Sequence, residues 1–158
     1  MTNFTLPDAW VGGVDGNALE FDGVNDYVTH DLNLGERGTL SHWLRPDQIR
    51  YMAAYYESDG TDSRYNGFSD PVGICEIHSG IGGGGVWYFV YQDGVEWTVV
   101  MGGAAEVGEW AHVAVTWDVD ADLVLYVGGV EVDRTPMADL AFENRTPTFR
   151  ALGRVGNG

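Results

Sequence analysis

The chain offers several residue patterns with the chemistry for catalysis, metal binding or ligand contact. Ser41 and His42 are adjacent. A strand points neighbours to opposite faces, so they cannot form a nucleophile–base pair. No Gly-x-Ser-x-Gly turn occurs. His30, His42, His78 and His112 show no paired ligand spacing, so each is read as structural. Asp118-Val-Asp120-Ala-Asp122 begins like a calcium loop, but Leu123 stands where glycine is needed. A solvated hairpin turn is expected there. The long polar loop at residues 58–71 supplies Asp59, Asp62, Asn66 and Asp70, hard oxygen donors that form the candidate calcium set. No other cofactor is required. The glycine run at residues 80–85 precedes a strand rather than a helix, so it is not a phosphate cradle.

Trp87, Phe89 and Tyr91 alternate along one strand face, with Glu96 and Thr98 on the strand that follows. These five are the candidate ligand-binding residues. Three readings stay open. Flat aromatic faces can stack on pyranose rings while Glu96 and Thr98 bond hydroxyls. Aromatic residues are also enriched at protein interfaces. Alternatively, the N-terminal arm or residues 138–150 cover the stripe, making it second core.

Two hairpins must position these groups. Gly128-Gly129, between alternating apolar residues, reads as a two-residue turn. It sets Val127 against Val130, Leu125 against Val132 and Leu123 against Arg134. Leu123, Leu125, Val127, Val130 and Val132 then form a core face. With Trp117 opposite Leu123, Ala111, Val113, Val115 and Trp117 join that core, while His112, Ala114 and Thr116 face outward. A bulge would change this assignment. Asp93-Gly94 marks the second turn. Outward pairing sets Gln92 against Val95, Val90 against Trp97 and Tyr88 against Val99. Val86, Tyr88, Val90, Trp97, Val99 and Met101 are the expected core face. Further strands are expected at residues 39–45, 49–57 and 72–78, with a strand pair around Asp22-Gly23 within residues 16–30. Residues 1–15 form an arm with Trp10 as its anchor. The whole, residues 1–158, reads as one domain.

Three ordered motifs carry a family resemblance. Trp110-Ala-His112-Val-Ala-Val-Thr-Trp117-Asp118 … Leu125-Tyr126-Val127-Gly128-Gly129 resembles the Trp-x-His-Val-Ala-x-Thr-aromatic-Asp … Leu-Tyr-Val-x-Gly signature of the concanavalin A-like, laminin-G-like jelly rolls. Ala18-Leu-Glu-Phe-Asp22-Gly23-Val-Asn-Asp26-Tyr27-Val28 resembles their opening strand pair. Thr39-Leu-Ser41-His-Trp43-Leu-Arg45-Pro46 resembles their Thr-hydrophobe-Ser-x-Trp-x-basic-Pro strand. The resemblance implies an all-β, two-sheet antiparallel sandwich. Glucanases on that scaffold use Glu-x-Asp-x-x-Glu, but here Asn25 follows Glu20-Phe-Asp22, so no catalysis is expected. The family's final strand, after Leu152-Gly153-Arg154, has no counterpart, which leaves three expectations. The chain is cut short, residues 148–152 close the sheet alone, or a neighbouring chain fills the gap.

Net charge is −16, and the eight basic residues are all Arg. That acidity argues against nucleic acid and anionic membranes and suits a high-salt setting. Cys75 is alone and reads as a buried small hydrophobe. No apolar run is long enough for membrane insertion. The N-terminus lacks the pattern of a signal peptide. The expectation is therefore a binding or structural module. It would decorate a virion surface or similar extracellular assembly of a halophile, with other protein subunits as partners. The competing expectation is a lectin-like domain that binds a glycan.

Overall fold

The computed structural model describes residues 9–22, 26–31, 36–49, 52–58, 75–82, 84–93, 97–137 and 149–153. They form strands β1 (Trp10–Gly12), β2 (Asn17–Leu19), β3 (Val28–Thr29), β4 (Arg37–Leu44), β5 (Met52–Ser58) and β6 (Cys75–Ile81). β7 (Val86–Asp93), β8 (Trp97–Ala104), β9 (Ala111–Asp118), β10 (Asp122–Val127), β11 (Val130–Pro136) and β12 (Phe149–Leu152) follow. No helix is present among the described residues. One sheet has the order β11-β10-β9-β4, a second β3-β12-β5-β6-β7-β8, and β1-β2 form a small third. All pairings are antiparallel, giving an all-β sandwich of the jelly-roll type.

The core follows from strict alternation along β9. Val113, Val115 and Trp117 are buried, and Trp117 pairs with Leu123 as expected. Leu123 and Leu125 are wholly buried beside them. Trp117 stacks on Phe89 of the opposite sheet, with ring centroids 6.1 Å apart and planes at 12°. The indole fits because its cross-strand neighbour is Gly38. A Cβ at that position would lie 2.4 Å from the ring.

Several expectations are corrected. The Gly128-Gly129 turn forms, both glycines having positive φ, and Val127 pairs with Val130. A bulge then follows, so Leu125 faces Asp133 and Leu123 faces Thr135, leaving Val132 as the extra residue. Val130, at the hairpin tip beyond the facing sheet, is 65% exposed. In the β7–β8 pair Gln92 faces Trp97 and Val90 faces Val99, two residues off the expected register. A shift of two leaves each face with the same members. The inner face is the other one, however. Trp87, Phe89, Tyr91 and Val100 are buried against the opposing sheet, whereas Met101 is half exposed. β7 is buried on both faces, Tyr88 and Val90 included, so alternation alone could not choose the core side.

β2 and β3 do not pair with each other. Between them Asp22 N donates to Asp26 Oδ2 (3.0 Å), and Asp26 N donates to Asp22 Oδ1 (3.3 Å). These side chains satisfy the backbone groups a hairpin ladder would have used. Phe149–Leu152 is paired on both sides, with β3 and with β5. The Cys75 side chain lies outside the described residues.

Candidate functional site

The expected aromatic platform is corrected first. Trp87, Phe89 and Tyr91 are 0–1% exposed and belong to the core, so they present no outer surface. The β9–β10 face of the opposite sheet packs on them, while residues 1–8 of the N-terminal arm and residues 138–148, the other covers expected, lie outside the described residues. Thr98 is half-buried, and Glu96 lies outside the described residues. So do Asp59, Asp62, Asn66 and Asp70. Among the described residues no group of three or more His, Cys, Asp or Glu side chains could hold a metal ion.

The acidic turn after β9 has protein partners. Arg37 Nε bonds Asp118 Oδ1 at 2.8 Å, and its terminal nitrogen contacts Asp120. Arg134 bridges Asp122 (2.5 Å) and Glu131 (2.8 Å). The Arg37 hydrogen bond, aided by the Asp120 N–H, holds the Asp118 carboxyl below the usual carboxylate range. Arg134 does the same for Glu131. Guanidinium groups are thus the counter-charges of these carboxylates.

Ser41 finds a different histidine from its neighbour. On β4 and β9 Ser41 pairs with Ala114 and Trp43 with His112, so Ser41 lies diagonal to His112. Ser41 Oγ is 2.8 Å from His112 Nε2, and the Trp43 ring packs on the His112 ring at 5.2 Å. This contact ties edge strand β4 to β9 and orients the Trp43 indole. His42 points the opposite way, into the wall between the sheets. Burial, with the nearby His112, lowers its pKa to about 4, and its Nε2 has no hydrogen-bond partner among the described residues.

A cavity of about 470 Å³ opens beside these residues. Its outer wall is the β1–β2 hairpin, where Trp10 pairs with Leu19 and Glu20 N bonds Ala9 O at 2.8 Å. Its inner wall is the end of β4, from His42 to Leu44, and its floor includes Ala54 and Ile81 of the large sheet. Trp10 and Trp43, 48% and 50% exposed, both line it, as does the half-buried Trp110. Arg45 lies over the Trp110 ring, 5.3 Å from its centroid. At one end Phe21 packs onto Gly153, where a Cβ would come within 2.0 Å of the ring. Gly153 also has a φ of +79° and donates its N–H to Ala54 O at 2.9 Å. Glu20, Asp22 and Asp47 add carboxylates to the lining, and Asn17 and Gln48 add amides. Glu20 and Asp22 follow the end of β2, so they do not form a carboxylate pair on one strand face.

Residues 22–158 match the sequence model of the laminin-G-type family, described as the concanavalin A-like lectin/glucanases superfamily. The chain belongs to this family. No curated protein matches it. Among solved structures, this laminin-G-like chain is similar to domain 4 of AbnA, a GH43 extracellular arabinanase from Geobacillus stearothermophilus, in complex with arabinotriose. The TM-score is 0.66 at 17% identity, covering 92% of this chain and 66% of that one. It is also similar to an HCR/D mutant, with TM-score 0.61 and 16% identity over 87% of this chain and 34% of that one. A third likeness is the receptor binding domain of botulinum neurotoxin mosaic serotype C/D, with TM-score 0.53 and 15% identity over 78% of this chain and 29% of that one. The chain thus spans 66% of the arabinanase domain and about a third of the other two chains. These likenesses establish the fold of the laminin-G-like sandwich.

The sequence did not bring the three cavity tryptophans together. Trp10 was legible as an anchor and Trp43 as part of a strand motif, but they are 33 residues apart and belong to different sheets. The one available signal was Trp43 itself, a large apolar residue on the face opposite Leu40, His42 and Leu44.

Proposed function

We propose that this domain binds carbohydrate, without catalysis, in the cavity between the β1–β2 hairpin and the end of β4. The observation that carries the reading is the pair of half-exposed indoles, Trp10 and Trp43, at one 470 Å³ cavity. Leaving two indoles half in water forgoes burial that the core achieves elsewhere, which is reasonable where a ligand supplies the cover. Flat apolar rings with amides such as Asn17 and Gln48 nearby match the two-sided chemistry of a sugar, whose C–H face stacks while its hydroxyls hydrogen-bond. The family match and the arabinotriose held by the structurally similar arabinanase domain support this class of ligand.

Calorimetric titration with arabinotriose and with gluco- and galacto-configured trisaccharides tests it. At least one should bind, and Trp43→Ala and Trp10→Ala should each weaken binding by about tenfold, the effect of losing roughly 1.4 kcal/mol of stacking. Unchanged affinity in both variants contradicts the proposed site.

A further inference from the structure

The charge around the cavity points to a narrower ligand class than sugars in general. Glu20, Asp22 and Asp47 line it, and Arg45 is the one guanidinium among its described lining residues. Arg45 is already committed to the face of Trp110. His42, the other basic group in the wall, is buried and stays neutral above about pH 4. The described lining therefore carries net negative charge, within a chain of net charge −16. A concave site with walls of one sign concentrates counter-charged ligands. The aromatic faces act in the same direction, because the indole quadrupole attracts cations. The Arg45–Trp110 contact is an instance of that attraction within this wall.

Resting on the carbohydrate reading above, we propose that the cavity selects sugars bearing a protonated amine, that is, glucosamine-type residues, over neutral sugars, and excludes uronic acids. The ammonium group lies against the rings of Trp10 and Trp43 with Glu20 and Asp47 as its counter-charges. The C–H face of the sugar takes the remaining aromatic surface. No bond is made or broken, and binding releases only water and counter-ions.

Three probes at low ionic strength and mildly acidic pH test this: a β-1,4-linked glucosamine trimer, its fully N-acetylated counterpart and a uronic-acid trimer. The amine trimer should bind about fivefold or more tightly than the acetylated one, and the uronate least tightly. The amine-to-acetyl ratio should fall toward one at about 0.5 M salt, where the Debye length drops below the width of the site. In Glu20→Gln/Asp47→Asn the ratio should also approach one. Because that variant removes only a small part of the total negative charge, such a fall locates the preference in the cavity rather than in the overall field. Circular dichroism and melting curves check that this variant is folded.

Equal or tighter binding of the acetylated trimer overturns the inference, as does a ratio indifferent to salt or to the double substitution. Binding of arabinotriose with no amine preference overturns it while leaving the carbohydrate reading intact. Absence of binding by every sugar removes both.

Discussion

His42 and Trp43 are consecutive on β4, yet one is in the wall and the other in the mouth of the cavity. Strand alternation alone separates them, and it gives each a different physical state. For His42 the consequence is pH dependence. Its pKa falls from 6.5 to about 4 on folding, so the unfolded chain takes up the proton first as pH drops. Stability from this group is complete above about pH 6.5, declines as pH falls toward 4 and loses nothing further below. Between pH 7 and pH 5 the loss is about 2 kcal/mol. Urea unfolding at the two pH values should give that difference in the natural chain and a correspondingly smaller one in His42→Leu. Identical pH slopes for the two proteins would contradict the placement of His42. Alternation made its inward orientation legible in the sequence. The loss of its proton was not, because it depends on burial and on His112, some 70 residues away.

At the scale of elements, the sequence was most readable where only one face of a strand is apolar. β9 alternates cleanly, and Val113, Val115 and Trp117 are core as expected. β7 does not, because Val86, Tyr88 and Val90 on one face match Trp87, Phe89 and Tyr91 on the other in hydrophobicity. The choice between them is made by the opposite sheet, where Trp117 needs a flat partner and finds Phe89. The same packing rests on Gly38. Gly38→Ala should cost about 1–3 kcal/mol through overpacking against the Trp117 ring. Denaturant midpoints measure this, and most of the cost should vanish in a Trp117→Leu background, as a double-mutant cycle would reveal. Additive effects would mean that the glycine is not serving the indole. The separation of β2 from β3 was illegible for a related reason. Asp22-Gly23 is a sound turn signal, but the Asp22–Asp26 side-chain bonds close it without a ladder.

For the whole molecule, the motifs at residues 18–28, 39–46 and 110–129 were sufficient to anticipate the sandwich, since each encodes strands with fixed partners. The cavity was not foreseeable from them. It lies where the β1–β2 hairpin stands beside the two larger sheets, and no local pattern specifies that approach. The saline habitat expected from the charge, and the virion setting and subunit partners expected with it, rest on the sequence alone.

The central claim is that ligand enters between Trp10 and Trp43. Indole N–H signals in a ¹H–¹⁵N spectrum report on it directly, because five of the six tryptophans divide into a cavity set and a core set. On titration with arabinotriose or with the glucosamine trimer, the signals of Trp10, Trp43 and Trp110 should shift in a saturable way, while those of Trp87 and Trp117 stay in place. Saturable shifts confined to Trp87 and Trp117, or binding that leaves the three cavity indoles unmoved, would contradict it.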